Sequence, residues 1–131
     1  DDFNGVLTSG SGKTSAAETS NNILNTELKT YATQGNLNNH IGVPLSILGI
    51  TKNTEIGIIE MGANHLYEIE FLCTIAQPTH GVITNIGSAH LEGFINLQGV
   101  INAKNELYQF IENRNGSVFV NHEDKKLRKL C

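Results

Sequence analysis

Gly12, Lys13 and Thr14 close the stretch LTSGSGKTS, Leu7 to Ser15, and their types and spacing are those that hold a polyphosphate. A glycine-rich turn feeding a helix aims backbone N–H groups at an anion, and the helix dipole adds to the attraction. Lys13 would neutralise the outer phosphates and the Thr14 hydroxyl would bind Mg2+. The general pattern G-x-x-x-x-G-K-[ST] also asks for a glycine where this chain has Leu7. The same stretch fits an ordinary Gly/Ser turn ahead of a capped helix equally well.

Other residues have weaker claims when taken singly. Glu60 ends the apolar run EIGIIEM, where a carboxylate must either reach solvent or meet a cation. Mg2+ beside a nucleotide suits it, although an exposed glutamate at a strand end is the commoner case. His90 follows TNIGSA, and a lone loop histidine is more often a surface residue than a ligand. No histidine pair has the H-E-x-x-H spacing and there is no cysteine cluster, so a zinc site is not expected. Lys104 falls on the stripe of Leu97, Val100, Ile101, Leu107, Tyr108 and Ile111. A lysine facing inward must snorkel, pair or be chemically changed; snorkelling is the ordinary outcome, and a carbamate would make it an anion able to hold metal.

The elements that must position these residues alternate in type. Strands are expected over Phe3 to Thr8, Thr30 to Thr33, Glu55 to Met61, Gly81 to Ile86 and Ser117 to Asn121. Helices are expected over Thr14 to Leu28, Val43 to Ile50, Leu66 to Gln77 and Leu97 to Ile111, with a helical tail. Such alternation predicts an α/β fold, a mostly parallel sheet flanked by helices. Ligands bind beyond the carboxyl ends of such strands. Thr8 to Thr14 follow one strand, Glu60, Asn64 and His65 another, and Asn85, Ser88, His90 and Glu92 a third. Convergence of strand ends favours the phosphate reading more than any single motif does.

Bulk properties narrow the function classes. The 131 residues fit one domain, and 39% hydrophobic content supports a core. Nine basic against thirteen acidic side chains give a net charge of −4, which argues against a nucleic-acid partner. Cys73 and Cys131 make no disulfide framework, and Cys73 reads as a buried free thiol. No apolar run is long enough to span a membrane, so a cytoplasmic setting is expected. The chain starts at a strand and ends in a helix, as if cut from something longer.

At YATQGNLNNHIGVPLSIL (Tyr31 to Leu48), EMGANHLYEI (Glu60 to Ile69) and ITNIGSAHLEGF (Ile83 to Phe94), the chain resembles the Mur ligase family. Within it the branch that joins D-alanyl-D-alanine to a UDP-N-acetylmuramoyl-tripeptide is most similar, and GVINAKNELYQF and VFVN continue the likeness. The family loop reads T-G-[ST]-N-G-K-[TS], so Leu7 is no anomaly within it. The resemblance implies a P-loop-like central domain that binds ATP and Mg2+, with the N-terminal UDP-substrate domain and the C-terminal ligase domain absent from residues 1–131. It implies that Thr8, Ser9, Gly10, Ser11, Gly12, Lys13, Thr14 and Asn85 face the nucleotide. Thr14, Glu60, His90 and Lys104 would hold metal, with Lys104 carbamylated, and Lys13, Glu60, His90 and Lys104 would serve catalysis. Thr33, Asn36 and Asn39 would face the UDP-sugar-peptide. Ser9, Gly10 and Ser11 depart from the family loop; a positive φ at position 9 would strain Ser9. An incomplete or degenerate nucleotide-binding module, or a sibling or folylpolyglutamate-type ligase, are the rival expectations.

Overall fold

Parallel pairing dominates the backbone, as apolar strands separated by helices require. The computed structural model describes residues 4–8, 16–87, 93 and 96–131, with backbone alone for 4–8. Strands β1 (Asn4–Thr8), β3 (Ile56–Glu60) and β2 (Thr30–Ala32) form a parallel sheet in the order β1-β3-β2. Strands β4 (His80–Val82) and β5 (Ser117–Phe119) form a second parallel pair, and β4 lies beside β1. The spatial order is therefore β2-β3-β1-β4-β5. The chain leaves β1 in one direction toward β2, and leaves β3 in the other toward β4. That reversal is a topological switch point, where open α/β sheets open a crevice.

Helices cover both faces. Side chains alternate along β3, so neighbouring isoleucines serve different cores. Ile58 packs with Ala17 and Ala32 under α1 (Ala16–Leu24). Ile59 joins the larger core with α2 (Gly42–Leu48), α3 (Glu68–Ala76) and α4 (Leu97–Glu112), through Val43, Leu72 and Val100 among others. A short α5 (Lys125–Arg128) seals that core with Leu127, its N-terminus capped by the Asp124 carboxylate. Cys73 is buried in the same core, as expected, and burial pushes its thiol up to about 12, so it is inert.

Expected boundaries shift for identifiable reasons. The strand expected over Gly81 to Ile86 stops at Val82, because the Ile83 N–H donates to the Tyr108 hydroxyl at 3.1 Å. That hydroxyl donates in turn to the Phe119 carbonyl at 2.7 Å, so one buried tyrosine ties the end of β4 to β5. The helix expected from Leu66 begins only at Glu68, because Tyr67 adopts φ 68, outside helical space. It ends at Ala76, where Gln77 turns left-handed ahead of Pro78. In the helix expected over Thr14 to Leu28, the chain leaves α1 after Leu24, and Thr14 and Ser15 lie outside the described residues.

Candidate functional site

The register of the central strands builds the site. Thr8, the last residue of β1, is level with Glu60, the last residue of β3. The chain therefore reaches the end of β1 directly beside Glu60. Ser9, Gly10, Ser11, Gly12, Lys13 and Thr14 lie outside the described residues, as does His90. Glu60 is only 7% exposed, and among the described residues no cationic side chain partners it. Its Oε1 accepts from Asn38 Nδ2 at a long 3.4 Å. A buried carboxylate with so little compensation from the described residues fits a cation brought from elsewhere. Among the described residues no group of three or more His, Cys, Asp or Glu could hold a metal ion alone.

Thr33, Asn36 and Asn39 take distinct places in the loop after β2. Thr33 is buried, and its hydroxyl accepts the Glu60 N–H at 2.9 Å, so it fixes the carboxylate's backbone. Asn36 is exposed, and its carbonyl accepts the Asn38 N–H at 2.8 Å. Asn39 caps α2: its Oδ1 accepts from Ile41 N at 3.0 Å and Gly42 N at 2.9 Å. Asn39 also lines a cleft of about 600 Å3 between this loop and the start of α3. Asn38, which sequence reasoning passed over, lines the cleft too and reaches Glu60; its carbonyl accepts the Gly62 N–H at 2.8 Å. Its signal was only its place in GNLNNHIG.

The far wall of the cleft is held by carboxylates. Glu68 Oε2 accepts the N–H groups of Asn64 at 2.6 Å and His65 at 3.1 Å, and its Oε1 lies 3.2 Å from His65 Nδ1. Partial burial raises its pKa, but those hydrogen bonds and the histidine outweigh it and hold the carboxyl below the ordinary value. Glu106, on α4, is 8% exposed and accepts the N–H groups of Tyr67 at 2.8 Å and Glu70 at 3.1 Å. Burial pushes its pKa up against the pull of these bonds. Sequence reasoning missed Glu68 and Glu106; the available signal for Glu106 was its position three residues after Ala103 on the buried side of α4.

Lys104 leaves α4 on another side. Its Nζ donates to the Asn85 carbonyl at 2.9 Å, just beyond β4. It is half-buried, and desolvation lowers its pKa from the usual lysine value. An ammonium weakened in this way reaches its neutral, nucleophilic form more readily. Asn85 itself is exposed. Thus Thr8, Glu60, Asn85 and Lys104 all sit at carboxyl ends of β1, β3 and β4 or are bonded there.

Comparison with known proteins agrees with this fold. The family described as the Mur ligase middle domain matches residues 7–131. A UDP-N-acetylmuramoyl-tripeptide–D-alanyl-D-alanine ligase from Haemophilus influenzae is 42% identical over an alignment of 126 residues that covers 93% of this chain and 27% of that protein. MurF from Acinetobacter baumannii superposes with a TM-score of 0.87 at 37% identity, over 98% of this chain and 28% of the other. MurF ligase from Thermotoga maritima, solved in complex with ADP, gives 0.83 at 38% identity, over 97% of this chain and 29% of the other. The chain thus spans about a quarter of the length of the relatives it matches. Matched along nearly its whole length by sequence and by fold, the chain belongs to the Mur ligase family, in its middle domain.

Proposed function

We propose that this chain is the ATP-binding portion of a ligase that joins D-alanyl-D-alanine to a UDP-N-acetylmuramoyl-tripeptide in cytoplasmic peptidoglycan precursor synthesis. The observation that carries the reading is the pairing of Thr8, the residue just before the glycine-rich, Lys13-bearing stretch of sequence, with Glu60, a buried carboxylate that no cationic side chain among the described residues partners. The ADP bound to the Thermotoga maritima relative supports an adenine nucleotide there. The relatives' names supply the amide-forming reaction and its two substrates.

In that reaction the tripeptide carboxylate attacks the γ-phosphorus of ATP, ADP leaves, and an acyl phosphate forms. The dipeptide amine then attacks the acyl carbon, phosphate leaves with the bonding pair, and the amine loses its proton. Lys13 and the backbone N–H groups of residues 9–14 would position the phosphates and offset their charge. Thr14, Glu60, His90 and Lys104 would hold Mg2+, which neutralises phosphate oxygens when bound. Lys104 would do so as a carbamate, formed when its neutral amine adds to CO2 and releases a proton. Thr33 and Asn38 orient Glu60, and Asn39 and the cleft beside it would receive the UDP-sugar-peptide.

Calorimetric titration with ATP, with and without Mg2+, beside a Lys13→Ala control, tests the reading. Mg2+-dependent binding that the control loses is the expected result; equal heats from both proteins would end it. The second reading, an incomplete module that binds nucleotide weakly, is favoured by Ser9, Gly10 and Ser11. It predicts that the triple change Ser9→Gly, Gly10→Ser and Ser11→Asn raises ATP affinity.

A further inference from the structure

Glu106 is a buried carboxylate that phosphate chemistry does not call for. Among the described residues no cation pairs with it, and its charged neighbours are Glu68 and Glu70. Both of its oxygens are engaged by backbone N–H groups at the start of a different helix, 36 and 39 residues away in sequence. A helix ordinarily caps its own N-terminus with a short polar side chain. Here the capping position is Tyr67, which makes no side-chain cap and sits at φ 68, a conformation that costs a non-glycine residue. The start of α3 is thus strained and leans on an imported cap.

The strained residue is in the cleft. Tyr67 lines it, with Asn64, Leu66 and Glu68 on the same wall. Glu68 organises the first half of that wall through Asn64 and His65, and Glu106 organises the second through Tyr67 and Glu70. Lys104 stands two residues before Glu106, roughly 200° around the helix at 3.6 residues per turn. One helix therefore reaches the end of β4 with its lysine and the cleft wall with its glutamate.

We propose that Glu106 is a positioning residue for the substrate cleft: by holding Tyr67 and Glu70 it sets the wall from Asn64 to Tyr67 in the shape that binds the UDP-sugar-peptide. This rests on the cleft being the site for that substrate. Glutamine keeps the shape of Glu106 but opposes one N–H with its own NH2 group. Leucine removes both acceptors.

Two measurements decide it. In the 131-residue chain, amide exchange at Tyr67 and Glu70 is expected to quicken about tenfold in Glu106→Gln and further in Glu106→Leu, with Gly57 to Ile59 in β3 unchanged. Unchanged exchange at Tyr67 and Glu70 overturns the proposal whatever the enzyme does. In an intact ligase carrying this segment, the KM for UDP-N-acetylmuramoyl-tripeptide is expected to rise about fivefold in Glu106→Gln, with the KM for ATP and kcat within about twofold. Losses shared equally by all three constants, or no change in the peptide KM, would mean that Glu106 only stabilises the fold. An intact wild-type enzyme that fails to use this substrate counts against the proposed function, while the exchange arm still decides what Glu106 holds.

Discussion

Glu60, Glu68 and Glu106 are three carboxylates in three different surroundings. Glu68 is held below the ordinary carboxylate value despite partial burial, by the N–H groups of Asn64 and His65 and by the His65 ring. A carboxyl with a depressed folded-state pKa adds stability above its unfolded value and loses it as pH falls through the folded one. The stability gap between wild type and Glu68→Gln should therefore narrow as pH drops from about 5 to about 3. Urea melts across that range check it, and a constant gap would refute it. Lys104→Ala tests the metal role: thermal stability should fall by no more than about 1 kcal/mol, since only a half-buried stem and one bond to Asn85 are lost. Mg2+ dependence in an intact enzyme should weaken clearly; intact Mg2+ dependence would remove the carbamate. That Glu60 and Lys104 are drawn inward was legible in the sequence, because charge interrupts an apolar pattern at both. Glu106 was not, because a glutamate in a helix defaults to solvent and its partners lie far away in the chain.

Helices and strands were readable in kind and order, and the misjudged ends are those set by distant partners. Nothing in GVITNI announces that Ile83 will bond a tyrosine hydroxyl instead of a neighbouring strand. Nor does HLYE announce a left-handed Tyr67, since the cap that sustains it comes from α4. Tyr108→Phe should cost about 1–3 kcal/mol, because it leaves the buried Ile83 N–H without its acceptor and takes a donor from Phe119. Chemical denaturation checks the size; a change below a few tenths would mean that water replaces the hydroxyl. Gly42 opens α2, where a Cβ would meet the backbone of Leu37. Gly42→Ala should push the loop holding Asn38 and Asn39 away from α2 and cost about 1–3 kcal/mol as overpacking. An unshifted melting temperature would show that the loop yields freely.

The strand order β2-β3-β1-β4-β5 puts the proposed nucleotide site and the cleft on one end of the molecule, joined through Glu60 and Asn38. That arrangement can bring an acceptor carboxylate to a γ-phosphate. Amide formation needs a third component, an amine held in line with the acyl carbon. Holding reactants in this way is worth effective molarities of about 10^5–10^8 M, and a freely diffusing dipeptide forfeits it. The Mur ligase relatives are about three and a half times as long as this chain, and we expect the amine to be gripped by their remaining length. The isolated chain should therefore bind Mg·ATP yet form no D-alanyl-D-alanine adduct above a Lys13→Ala control. Incubating it with ATP, the UDP-tripeptide and the dipeptide, and following product by mass spectrometry, separates the cases. Product that depends on Lys13 would mean that the crevice and cleft alone orient all three reactants, and the need for the rest of the ligase would have to be abandoned.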